Sequence, residues 1–224
     1  MRKSYGQTCP LSRALDLLGE RWTLLVVREL LTGPKRYGAL LAALPGLGTN
    51  LLAARLRRLE AAGLLRPCER GYELTSAGRA LSPAIVELAR WGLAHAEEVP
   101  ETRGPAASPL TLQALFDPGR ADFDRLCCEL RVEGQVFHVV AGPSSLAVAA
   151  GGATAPDAVL TLGAEAYRRL ENGLSPRRLL AEGALRIEGS LAAFERLRRC
   201  FRRPAESPDA ALSDPAGGRP GTVE

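Results

Sequence analysis

Two hundred and twenty-four residues, 46% apolar and 24% charged, are enough for two packed domains of about 100 residues each and exclude disorder over most of the length. The net charge of +4 is uneven: residues 1–99 hold 14 Lys and Arg against 9 Asp and Glu, whereas residues 100–224 hold 15 against 16. The positive field therefore belongs to the first half, where it suits a polyanionic partner.

Leu11, Leu15 and Leu18 are spaced for one helical face, and Trp22, Leu25, Val26 and Leu30 carry the period into a second helix that Gly33-Pro34 closes. A third short helix runs from Tyr37 to Leu44 and ends at Pro45-Gly46. A fourth is predicted to open at Thr49, whose hydroxyl caps the free amides of the next turn, and to stop at Gly63. Leu52, Leu56 and Leu59 then face inward and leave Asn50, Ala53, Arg57 and Arg58 on a small, cationic outer side. Leu64–Cys68 and Tyr72–Thr75 read as a hairpin about Arg70-Gly71, and residues 76–98 return to helix with an interruption near Pro83.

Residues 100–109, with Pro100, Gly104, Pro105 and Pro109, read as a short, stiff linker between a first domain over 1–99 and a second over 110–203. In the second, residues 125–133 alternate Leu126, Cys128, Leu130 and Val132 against Cys127, Glu129, Arg131 and Glu133, which predicts one buried and one wet face. Strands follow over Val136–Ala141, Leu146–Ala150 and Ala158–Leu162; Gly142-Pro143-Ser144-Ser145 cuts the uncharged run from Val136 to Pro156, so it reads as a hairpin and not a membrane span. Helices over 164–171 and 175–181, a strand over 185–188 and a last helix from Ser190 to Phe201 make the chain α+β. Residues 204–224, rich in Pro and poor in bulky apolar side chains, read as a disordered tail.

Chemistry-bearing residues are sparse. The five cysteines, at 9, 68, 127, 128 and 200, form no C-x-x-C pair, and His95 and His138 have no companion ligands. No metal, cofactor or catalytic residue is expected, and thiols in a reducing cytoplasm fit best. A helix-turn-helix followed by a two-stranded hairpin is instead a winged helix, in which one helix enters the major groove of DNA. Thr49 and Asn50 supply donors at its start, Arg55, Arg57 and Arg58 supply cations, and Lys35, Arg36 and Tyr37 lie where they can hold the adjacent phosphates. Arg55 has an alternative role as an internal partner of Glu60 or another acid, and Tyr37 an alternative role in packing. Trp22 is read as core. Cys9, near a helix start, is either a thiol of lowered pKa or a small buried filler.

Cys9-Pro10-Leu11, Ala14-Leu15-Asp16-Leu17-Leu18-Gly19, Arg21-Trp22-Thr23-Leu24-Leu25, Gly33-Pro34-Lys35-Arg36-Tyr37, Leu44-Pro45-Gly46 and Arg55-Leu56-Arg57-Arg58-Leu59-Glu60 resemble the HxlR family of bacterial winged-helix transcription regulators over about residues 8–98. The resemblance implies a homodimer built through the terminal helices, with residues 76–98 contributing most, bound to a palindromic operator on double-stranded DNA. It places Ala53, Ala54 and Arg70 at the interface along with the residues above. Members usually carry polar residues where this chain has Ala53-Ala54, and the wing is shortened to Cys68-Glu69-Arg70-Gly71. The resemblance also makes Cys9 a candidate sensor of oxidants or electrophiles.

Pro156-Asp157-Ala158-Val159-Leu160-Thr161-Leu162, Gly173-Leu174-Ser175-Pro176 and the segment from Leu180 to Gly189 resemble the sterol carrier protein type 2 fold over about residues 110–203. That resemblance implies a curved sheet roofed by helices around an apolar tunnel. Phe137, Val139, Leu146, Val148, Leu160, Leu162, Leu170, Leu180, Ile187 and Phe194 are its expected lining, or the packing of a filled core, and His138 and Tyr167 are either candidates to orient a head group or structural side chains. The leading expectation is a cytoplasmic, dimeric, DNA-binding repressor modulated by an apolar ligand. The alternatives are a thiol switch acting through Cys9 and a lipid carrier with a relic DNA-binding domain.

Overall fold

The computed structural model describes residues 4–95, 109–171 and 174–201. The expected linker, apart from Pro109, and the expected tail lie outside the described residues.

The first half comprises α1 (Pro10–Leu18), α2 (Thr23–Leu31), α3 (Tyr37–Ala43), α4 (Thr49–Ala61), β1 (Leu65–Cys68), β2 (Gly71–Leu74), α5 (Ser76–Arg79) and α6 (Ser82–His95). Its core joins Val26, Leu30, Leu40, Leu52, Leu56 and Leu74 from four elements. Trp22 is half-buried against this core and is not part of its centre; it starts α2 from a left-handed φ of 78°, and its ring lies against the Gly46 turn between α3 and α4. The start of α4 also differs from expectation: Gly48 is the cap residue, no side chain caps the helix, and Thr49 is its exposed first residue. The break near Pro83 falls just before it, because proline is tolerated in a first turn, where an amide has no intrahelical acceptor.

The two-stranded wing gains a single β-bridge from the segment before α3. Lys35 and Tyr72 exchange two main-chain hydrogen bonds of 3.0 Å, so the segment before α3 pairs with β2. Gly71 allows this approach: at its φ of 111°, a Cβ would stand 2.4 Å from the Lys35 carbonyl oxygen and 2.7 Å from the Arg36 Cα.

The second half opens with α7 (Pro109–Leu115), an unexpected helix that begins inside the expected linker. Leu110 packs against the first core, while Leu112 and Phe116 belong to the second. Strands β3 (Leu126–Val132), β4 (Gln135–Ala141), β5 (Leu146–Ala150), β6 (Ala158–Leu162) and β7 (Leu185–Gly189) form one sheet in the order β5-β4-β3-β6-β7, antiparallel except for β3 with β6. Helices α8 (Ala164–Glu171), α9 (Pro176–Ala181) and α10 (Leu191–Arg199) cover one face through Tyr167, Leu179, Phe194 and Leu197.

The wet face predicted for β3 is largely dry. Because β5 and β6 lie on opposite sides of the β4–β3 pair, the chain between them must cross the sheet, and it buries Cys127 and Glu129 to 2% and 4% exposure. The Glu129 carboxylate accepts from the Ala153 amide at 2.8 Å and from Arg131 at 2.7 Å. Asp157 exchanges main-chain and side-chain bonds of 2.7 Å with Cys127.

Candidate nucleic-acid interface

The buried leucines of α4 orient the helix. With Leu52, Leu56 and Leu59 in the core, Thr49, Asn50 and Arg57 point to solvent, and Ala53 and Ala54 lie half-buried between them. Tyr37 ties the helix start to α3: its hydroxyl donates to the Thr49 carbonyl oxygen at 2.6 Å, which leaves the ring packing against the first core.

The cations divide into two groups. Arg36, Arg57 and Arg70 are exposed, and their side chains make no ion pair or hydrogen bond among the described residues. Arg55 and Arg58 instead converge on Glu20 in the α1–α2 turn, at 2.6 and 2.9 Å, with Arg58 also bonded to the Asp16 carbonyl and Arg55 to the Arg21 carbonyl at 3.0 Å. Glu60 is not the partner of Arg55, because residues five apart stand about 140° apart around a helix. Lys35 likewise donates to Glu29 at 2.8 Å, and Arg28 holds the other oxygen of that carboxylate, itself only 8% exposed. Neither Glu20 nor Glu29 was singled out from sequence. Each lies far in sequence from at least one of the cations it holds or sits amid unremarkable helix, so no local pattern marks it.

Cys9 stands exposed at the start of α1, so it is not a buried filler. Backbone hydrogen bonds from Ser12 and Leu11 hold its pKa below the ordinary thiol value. Burial drives the other way at Cys128, whose pKa is pushed up to about 12.

In the second half, Phe137, Val139, Val148, Leu160, Leu162 and Phe194 are buried in one apolar cluster, and Leu146, Leu170, Leu180 and Ile187 are half-buried against it. A cavity of about 550 Å³ touches Phe137 and Val148 alone among these ten, and it lies between the sheet corner and helices α2 and α3. His138 places Nδ1 3.0 Å from the Gly151 carbonyl oxygen, pinning the crossover, and Tyr167 is buried in the core at 1% exposure. Among the described residues, no group of three His, Cys, Asp or Glu side chains could hold a metal ion, and no helix is long and apolar enough to cross a membrane.

Residues 17–100 match the family described as HxlR-like helix-turn-helix. The chain is 39% identical over 94 residues to the HTH-type transcriptional regulator sll1512 of Synechocystis sp., an alignment covering 39% of this chain and 70% of that relative. This chain belongs to the HxlR-like helix-turn-helix family. The HxlR-like chain is also 43% identical over 123 residues to the HTH-type transcriptional regulator Rv3095 of Mycobacterium tuberculosis, covering 52% of this chain and 73% of that one. The crystal structure of quinone-bound YodB from B. subtilis aligns with 38% of the chain and 97% of its own length, at 34% identity and a TM-score of 0.36. The HxlR-like protein is thus a DNA-binding transcriptional regulator, and its relatives are regulators and not enzymes.

Proposed function

We propose that this HxlR-like regulator is a repressor that binds a palindromic operator as a homodimer. The observation that carries the reading is the bare outer side of α4, where Asn50 and Arg57 stand in solvent above buried Leu52, Leu56 and Leu59. Asn50 is suited to reading a base edge, Ala53 and Ala54 to close approach, and Arg36, Arg57 and Arg70 to phosphates. Thr49 and Tyr37 set the helix start, while Lys35 and Arg58 reach phosphate from side chains already paired with Glu29 and Glu20. Leu11 and Leu15 on α1 and Leu88 and Trp91 on α6 are exposed apolar side chains that suit a subunit interface. Gel shifts with the DNA flanking its own gene, repeated across salt, test the reading. Duplex binding requires log affinity to fall with log salt at about 0.9 per neutralised phosphate; a flat response leaves the carrier reading in its place.

The second half is proposed to be a sterol-carrier-like domain over 110–203 that holds an apolar effector and so biases the spacing of the two α4 helices, about 34 Å apart on one DNA face. Its support is the sheet roofed by α8, α9 and α10 over a largely apolar interior. A gel shift that is unchanged by any added lipid removes this part.

A second reading, a thiol switch at Cys9, is favoured by one observation: the thiol is exposed and its pKa is lowered by backbone hydrogen bonds. Cys9→Ser abolishes an oxidant response of DNA binding if this reading holds; an intact response dismisses it.

A further inference from the structure

The space between the two halves has a different chemistry from the packed sheet interior. One wall is the outer side of α3, with Ala39 and Ala42, and the facing wall is Val136 and Val148 at the corner of β4 and β5. Its volume of about 550 Å³ falls in the range of small-molecule sites, about 300–1,000 Å³. One end is charged. There Glu29 is clasped by both Arg28 and Lys35, so two cations face one carboxylate and leave an excess positive charge. Each cation uses only part of its donor capacity on Glu29, so an incoming anion is received without breaking the existing pairs.

We propose that this cavity is a binding site for a carboxylate with an apolar body, such as a medium-chain alkyl or an aromatic acid. The chain or ring lies between α3 and the sheet corner, and the carboxylate meets Arg28 and Lys35. This rests on the reading that an apolar effector acts on the second half, and it moves the site from the sheet interior to the seam. An occupant here touches α3, which is tied to α4 by the Tyr37 hydroxyl and to the wing by the Lys35–Tyr72 bonds, so both DNA-reading elements sense it.

Decanoate binding to the full-length protein, followed by displacement of 1-anilinonaphthalene-8-sulfonate fluorescence, tests the site. Ala42→Trp, which fills the cavity from the exposed side of α3, is expected to weaken decanoate roughly tenfold or more while the circular dichroism spectrum stays that of the folded protein. Arg28→Gln is expected to weaken decanoate and to leave the neutral analogue decanol bound as before. Wild-type affinity for decanoate in both variants overturns the proposal. If Ala42→Trp does not fold, photocrosslinking of the wild-type protein with a diazirine-bearing decanoate decides: labels on α3 or β5 support the site, and labels confined to the sheet interior overturn it. Decanoate bound at this site but without effect on DNA binding supports the site and removes the effector reading. Decanoate that alters DNA binding equally in wild type and Ala42→Trp overturns the site and keeps that reading.

Discussion

The main-chain amide of Ala150, on the outer edge of β5, donates to the carbonyl oxygen of Thr32 at 2.8 Å. Thr32 ends α2, so its carbonyl has no acceptor role inside the helix, and the edge-strand amide has no partner inside the sheet. One bond satisfies both groups and joins the DNA-binding half to the sheet. Ala150→Pro removes the donor at a position where an edge strand tolerates proline. The expected loss is about 0.5–1.5 kcal/mol, a fall of a few degrees in thermal midpoint followed by circular dichroism. An unchanged midpoint contradicts a stabilising role for this bond.

Glu20 holds two arginines of the DNA-binding helix out of play. Glu20→Ala leaves Arg55 and Arg58 held only by the Arg21 and Asp16 carbonyls, and non-specific duplex affinity is expected to rise with a steeper salt dependence, by about 0.9 in log–log slope for each phosphate gained. Arg57→Ala is expected to do the reverse, lowering the slope by about one. Fluorescence anisotropy of labelled duplex across potassium chloride concentrations measures both.

Gly71 and Gly63 separate backbone strain from steric contact. Both have positive φ, 111° and 70°, but a Cβ on Gly63 meets nothing within 4 Å, whereas one on Gly71 collides with Lys35 and Arg36. Gly63→Ala should cost only the left-handed conformation, about 1–2 kcal/mol. Gly71→Ala should cost more than that and separate Lys35 from Tyr72, which chemical denaturation and amide exchange at Tyr72 report.

Glu129 gives the protein an acid-side weakness. The Ala153 amide, and after it Arg131 and His138, lower its pKa against the opposing effect of burial. A depressed folded-state pKa means that the stabilisation is complete above the ordinary glutamate value of about 4.3 and is lost as pH falls through the lower folded value. Melting midpoints of the wild-type protein should therefore begin to drop below about pH 5 and go on falling through the lower folded value, and Glu129→Gln should start lower and show a shallower decline. An equally steep decline in the variant assigns the acid sensitivity elsewhere.

The winged helix was legible because each of its helices buries one face, and Leu52, Leu56 and Leu59 announce theirs by spacing alone. The outer arginines were less legible: Arg57 and Arg58 are adjacent and look alike, yet one stands in solvent and the other is bonded to Glu20, 38 residues away. Strand positions in the second half followed their alternation, but Cys127 and Glu129 did not, because what covers them is a crossover dictated by strand order. Helix α7 escaped notice for a related reason. Its leucines serve two cores, so no single stripe repeats along it.

That divided allegiance of α7 sets how the protein could be recombined. Composition marks a seam near residue 100, but Leu110 packs against the first core and Leu112 and Phe116 are buried in the second. A chimera that kept only the DNA-reading half would uncover the apolar surface that Leu110 shields, and a donor sheet without α7 would lose Leu112 from its core. Exchange of sensory parts between such regulators therefore needs this short helix to travel with one half and a matching socket to await it on the other.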